Sequence, residues 1–327
     1  MKALHTIKNS TPCNPNASKE VKAVLKYLSK LSGKGIITGQ HTQTRLQKEL
    51  RFIEKVTGKL PALCGFELLS YSPNINYKNS SPECLLEVEE NKNTLENAWD
   101  WALNKKGLIT FTWHWFSPFG SFDKGFYSEN TSFDASKAVL EGTEENKALI
   151  SDMDHMAGIL KKFCDKHIPI LWRPFHEAEG NWFWWGSNGA DTARKLYRLM
   201  YDRYTNHHKL NNLIWVWNSP LKEGYVGDDV ADVISRDLYP PKHQHTDLKK
   251  EYEELIEITP SNKITALAEI GVIPSIPKLS KSNIPWAWYM TWSNDFGSTG
   301  EWTSEEELYA AYNSDYAVTL DKLPGLY

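Results

Sequence analysis

Eight short runs of apolar, β-branched and aromatic residues recur along the chain. They are Gly35–His41, Leu60–Ser70, Gly107–Trp115, Pro169–Glu177, Asn212–Ser219, Val233–Pro240, Ile264–Gly271 and Pro285–Trp292. Near-continuous apolar runs of this length predict parallel strands buried on both faces. Between them apolar residues return at helical spacing: Val21, Leu25, Leu28 and Leu31; Ile150, Met153, Ala157 and Leu160; Ala193, Leu196, Met200 and Tyr204. Asp191 or Thr192 is the expected N-cap of the last of these helices. Strand and helix alternating eight times predict a single (β/α)₈ TIM barrel spanning residues 1–327. An open doubly wound sheet would carry a glycine-rich phosphate turn after its first strand, and the TGQHTQT that follows here is not one.

Barrel chemistry gathers where strands end at their C-terminal side. The residues at those points are His41, His114, His176, Glu177, Asn218, Asp237, Tyr239, Glu269 and Trp292. Core packing accounts for the bodies of the strands but not for polar and aromatic residues at one end of so many. Glu177 is followed by Trp182, Phe183, Trp184 and Trp185. A carboxyl among rings and away from bulk water has its neutral form favoured, which suits a general acid. Read alone, Glu177 would be an ordinary glutamate paired with Arg173. Glu269, among the small and apolar residues of ALAEIG, changes that reading, because a charge there is costly unless paired or used. Strands four and seven lie across the ring, so the two carboxylates can face each other, the equipment for glycoside hydrolysis.

Composition narrows the classes. The formal charge of −4 offers no basic footprint for nucleic acid or an anionic membrane, and no apolar run reaches the length of a span. Fourteen Trp and fifteen Tyr suit a cleft that stacks rings on sugar faces as well as a packed core. A zinc protease needs HExxH, and the final position here is Gly180. A metal-dependent barrel hydrolase pairs two histidines at its first strand end, and this chain has His41 alone. No metal or other cofactor is expected. The four cysteines show no metal spacing: Cys64 and Cys164 read as buried thiols, and pairing of Cys13 with Cys84 is left open.

The stretch Trp172–Gly186, WRPFHEAEGNWFWWG, resembles the acid/base motif of glycoside hydrolase family 26, whose main members are endo-β-1,4-mannanases. ALAEIG resembles that family's nucleophile strand, and TWHW (Thr112–Trp115), RDLYP (Arg236–Pro240) and TGQH (Thr38–His41) also match. The resemblance implies a retaining barrel with Glu177 as acid/base and Glu269 as nucleophile. It implies that Arg173 and His176 hold the site's hydrogen bonds, that Tyr239 orients the nucleophile and that His114 contacts sugar. Trp182 would stack on bound sugar and Trp292 would form the floor where the bond breaks, while Trp184 and Trp185 are left to the core. Packing is the plain alternative for each of these supporting residues. Two positions depart from the pattern: Ser293 where some relatives carry an arginine, and Glu67 where an aspartate is common.

The resemblance implies a polysaccharide substrate: mannan, glucomannan or galactomannan. The alternatives are a relative acting on mixed-linkage β-glucan or β-1,3-xylan, an enzyme releasing mannobiose from chain ends, and a barrel that binds polysaccharide without cutting it. Met1–Ser10 lacks the apolar run of a signal peptide. Because a polymer does not enter a cell, an exported protein with its signal removed is expected, with a cytoplasmic one as the alternative. A monomer is expected, and an attached carbohydrate-binding module is left open.

Overall fold

The computed structural model describes residues 11–43 and 46–327. Met1–Ser10, the stretch read for a signal peptide, lies outside the described residues. Eight strands form the barrel: β1 (Ile36–Thr42), β2 (Leu63–Glu67), β3 (Leu108–Thr112), β4 (Ile170–Arg173), β5 (Leu213–Asn218), β6 (Val233–Leu238), β7 (Ile264–Ile270) and β8 (Trp286–Thr291). Each pairs in parallel with the next, and β1 pairs with both β8 and β2, closing the ring. A two-residue strand, β9 (Ala317–Val318), adds to β1 at Ile36 and Ile37.

All eight apolar runs contain a strand, but most of the strands are shorter than the runs. The fourth stops at Arg173, four residues before Glu177, and the third at Thr112, before His114. The continuing apolar residues are loop: Trp113, Trp115 and Phe175 are buried under the loops they belong to.

Alternation sets the two sides of the wall. Ile37, Leu63, Leu108, Leu171, Ile214, Val216, Val233, Ala266, Trp288 and Met290 form one cluster with Val21, Val24, Leu25 and Leu28 of the helix Lys19–Leu31. Their neighbours Ile36, Cys64, Ile109, Trp172, Trp215, Ile234, Leu267 and Tyr289 face the surrounding helices. The lower interior is therefore apolar, and the helix Lys19–Leu31 packs against it.

The helical patterns fall on Lys19–Leu31, Glu144–Cys164 and Ala190–Asp202. The N-cap of the last is Gly189 at φ 86°, rather than Asp191 or Thr192. All four cysteines are free, so Cys13 and Cys84 do not pair; Cys84 is buried in the helix Pro82–Glu90, and Cys164 is half-buried, less enclosed than its apolar setting suggested. Among the described residues no helix is long and apolar enough to cross a membrane.

Candidate active site

Following the inward row of each strand upward, apolar side chains give way to polar ones. His41, Glu67, Thr112, Arg173, Asn218, Asp237 and Glu269 are in this top layer, with Trp292 directly after β8. Gly65 leaves the space that the His41 ring fills, since a Cβ there would lie 2.7 Å from the ring. The His41 ring stacks on Trp292 at 4.1 Å between centroids.

Glu269 reaches this layer through an irregularity. Along β6 and β7 the partner of Arg236 is Leu267, but the partner of Asp237 is Glu269, so Ala268 is a surplus residue. Such a bulge re-aims the side chain after it. Arg173 fixes the result: its Nη1 donates to Asp237 Oδ2 at 2.6 Å and its Nη2 to Glu269 Oε2 at 2.8 Å and Thr112 Oγ1 at 3.1 Å. The Tyr239 hydroxyl donates to the other oxygen, Glu269 Oε1. Both carboxylate oxygens of Glu269 are thus oriented, one from beneath and one from the cleft side.

Glu177 stands in the loop after β4 with φ 50°, a conformation that non-glycine residues rarely adopt. Asn218 holds it there, its Oδ1 accepting the Glu177 amide N–H at 2.7 Å while its Nδ2 donates to Asp237 Oδ1 at 2.8 Å. The Trp182 indole N–H donates to Glu177 Oε2 at 2.7 Å. Burial, then the nearby charge of Glu269, push the Glu177 carboxyl up to about 7; the Trp182 hydrogen bond and Arg173 oppose this. One oxygen each from Glu177, Asp237 and Glu269 come within 4.8 Å of one another. Three carboxylates so close could hold a cation, and the Arg173 guanidinium already bridges two of them.

His114 and Glu67 form a second unit. The fully buried Glu67 carboxylate accepts the His114 amide at 2.8 Å and contacts its Nδ1 at 2.7 Å. Burial disfavours the imidazolium, but the Glu67 charge outweighs it, so the pKa of His114 is raised. His114 Nε2 lies 3.2 Å from His176 Nε2. Burial, then the charges of His114 and Arg173, hold His176 well below the ordinary histidine range, so it meets His114 as a neutral ring.

These groups open on a cleft of 540 Å³ lined by His114, His176, Glu177, Trp182, Phe183, Tyr239, Glu269 and Trp292, with Phe126 and Tyr127 beside Phe183 and with Gln43 and Asn294 beside Trp292. A further wall comes from Glu83, Leu86, Glu87 and Glu90, with Lys124 paired to Glu87. His114, His176, Glu177, Trp182, Tyr239, Glu269 and Trp292 come together here, whereas His41, Asn218, Asp237 and Arg173 do not line the cleft; Arg173, 2% exposed, lies beneath it and acts through Asp237 and Glu269. Trp182 is exposed, whereas Trp184 and Trp185 are fully buried. Ser293 is fully buried and does not line the cleft. Sequence reasoning named Glu67, Asn218 and Asp237 without a partner for any of them. It missed Gln43, Lys124, Tyr127 and Asn294, which belong to no motif.

The family model of glycosyl hydrolase family 26 matches residues 13–322. The chain belongs to this family. Among family 26 relatives, the mannan endo-1,4-β-mannosidase of Thermothelomyces thermophilus is 37% identical over 320 residues, covering 95% of this chain and 63% of that protein. Mannan endo-1,4-β-mannosidase B of Piromyces sp. is 31% identical over 97% of this chain and 54% of that protein. The chain therefore spans less than two thirds of these curated relatives. Among solved structures, the Podospora anserina GH26-CBM35 β-(1,4)-mannanase superposes with a TM-score of 0.89 at 35% identity, over 100% of this chain and 71% of that one. The β-mannanase from a symbiotic protist of the termite Reticulitermes speratus, complexed with gluco-manno-oligosaccharide, does so at 0.87 and 30%, over 98% and 99%.

Proposed function

We propose that this family 26 chain is an endo-β-1,4-mannanase acting with retention of configuration, with Glu269 as nucleophile and Glu177 as acid/base. The observation that carries it is the approach of the two carboxylates, with oxygens within 4.8 Å. Retaining enzymes hold their carboxyl groups about 5–5.5 Å apart, whereas inverting enzymes leave room for a water between them. The environments also differ as the two roles require. Glu177 has its proton affinity raised to about 7, while Glu269 is gripped through both oxygens by Arg173 and Tyr239.

In the first step a Glu269 oxygen bonds to the anomeric carbon as the bond to the leaving oxygen breaks, and the Glu177 proton passes to that oxygen. In the second, Glu177 takes a proton from water, the water oxygen bonds to the anomeric carbon, and the bond to Glu269 breaks. His114 and His176 line the cleft beside the two carboxylates, Trp182 offers an indole face, and Trp292 floors the site.

The names of the relatives support mannan as the substrate. A polymer of that size is met outside the cell, so the chain acts as an exported enzyme. Reducing-sugar release from mannan, glucomannan, lichenan and xylan tests the reading. Activity on the first two is expected, with Glu177→Ala and Glu269→Ala each losing at least about 10³-fold in turnover. Activity on lichenan without activity on mannan would overturn it.

A further inference from the structure

At the β1–β8 rim of the cleft, two amides stand above the stack of His41 on Trp292. Gln43 and Asn294 each lie two residues beyond a member of that stack, and Asn294 Nδ2 donates to Gln43 Oε1 at 3.2 Å. The link is built into the fold. The fully buried Glu49 carboxylate accepts the Asn294 amide N–H at 3.0 Å with one oxygen and the Thr42 hydroxyl at 2.8 Å with the other. One side chain thus fixes both segments that carry the amides. Asn294 is held at φ 57°, ψ −135°, a conformation that costs energy for a side-chain-bearing residue. Gln43 Nε2 and Asn294 Oδ1 take no hydrogen bond among the described residues, and both side chains line the cleft.

The position gives the pair its meaning. Trp182 follows β4 and Asn294 follows β8, four strands apart in a ring of eight, so they face each other across the mouth. A chain lying over Glu177 and Glu269 and touching Trp182 at one rim reaches the amides at the other. The Gln43 amide nitrogen and the Asn294 amide oxygen, neither bonded among the described residues, match a pair of neighbouring sugar hydroxyls, each of which both donates and accepts.

We propose that Gln43 and Asn294 are a specificity-determining pair that binds hydroxyls of a hexose in a neutral β-linked chain, on the side of the cleft opposite Trp182. The inference rests on the glycan-hydrolase reading above and adds a site on the far rim. Its test is steady-state kinetics of wild type, Gln43→Ala and Asn294→Ala on mannotetraose and mannohexaose. Cleavage positions are mapped on mannohexaose labelled with ¹⁸O at its reducing end. KM is expected to rise about three- to tenfold in each variant, the loss of one or two neutral hydrogen bonds, with a smaller change in kcat. The preferred cleavage position is expected to move along the hexaose. Asn294 also supports the local backbone, so Gln43→Ala is the deciding variant. If its KM and cleavage pattern match those of an active wild type, the pair is not a binding site. A wild type inactive on every β-mannan would instead overturn the functional reading.

Discussion

Trp182 reaches back over its own loop to donate its indole N–H to the Glu177 carboxylate at 2.7 Å. Gly180 permits this, since a Cβ there would lie 2.3 Å from the indole ring. The hydrogen bond favours the charged carboxylate and so restrains a pKa that burial and Glu269 drive up.

Removing that donor moves the pH dependence. In Trp182→Phe, Glu177 holds its proton to higher pH than in wild type, where it titrates near 7. The alkaline limb of kcat/KM, which reports loss of the general acid's proton in the free enzyme, is expected to shift upward. A pH–rate profile on manno-oligosaccharide measures it, and a downward or absent shift would show that the bond does not tune Glu177.

The same burial costs stability. The folded pKa of Glu177 is about 7 against an ordinary 4.5. Below pH 4.5 both states hold the proton and nothing is lost. Between 4.5 and 7 only the folded state holds it, so stability falls as pH rises, and above 7 the full penalty stands. Glu177→Gln, which carries no charge, is expected to gain roughly 1–3 kcal/mol over wild type at pH 8, or a few degrees in Tm, and little at pH 4.5. Calorimetry at the two pH values checks both halves.

Arg173 balances two buried carboxylates from beneath. Arg173→Met leaves both uncompensated and is expected to cost about 3–5 kcal/mol, with turnover falling at least about 100-fold because Glu269 keeps only the Tyr239 hydroxyl to orient it. Arg173→Lys restores charge but not the two-pronged geometry, so it should recover part of the Tm and little of the activity. Equal recovery of both would mean that charge alone matters.

Glu67→Gln removes the charge that raises the pKa of His114. Its imidazole is expected to titrate at lower pH than in wild type, followed by NMR of the ring protons. The paired ring of His176 would then face a less readily protonated neighbour, and KM for oligosaccharide should rise as the His114 ring loosens.

The architecture was legible because parallel strands buried on both faces leave apolar runs, and eight of them recur with helical patterns between. Their ends were not legible. Trp113, Trp115 and Phe175 continue the runs but belong to loops packed into their own core, and hydrophobicity does not separate a strand from such a loop. Glu177 and Glu269 stood out as charges in apolar surroundings and meet in the cleft. Asn218 and Asp237 stood at strand ends and Glu67 at a departure from the family pattern, but their partners come from other strands and loops, and no local pattern names a partner. Gln43 and Asn294 carry no signal at all: they are amides in polar loops, brought together by the closure of β8 against β1 and by the Glu49 carboxylate.

The surplus Ala268 changes the phase of β7 partway along its length. Counted strictly in twos from the inward-facing Ala266, Glu269 would point out among the helices. The extra residue resets the count, so β7 behaves as two short segments of opposite phase. The lower one keeps time with the apolar base and the upper one with the polar rim. Substitutions that repack the base therefore do not dictate which way the acid at the rim must look, and the two ends of the strand are free to change at different rates.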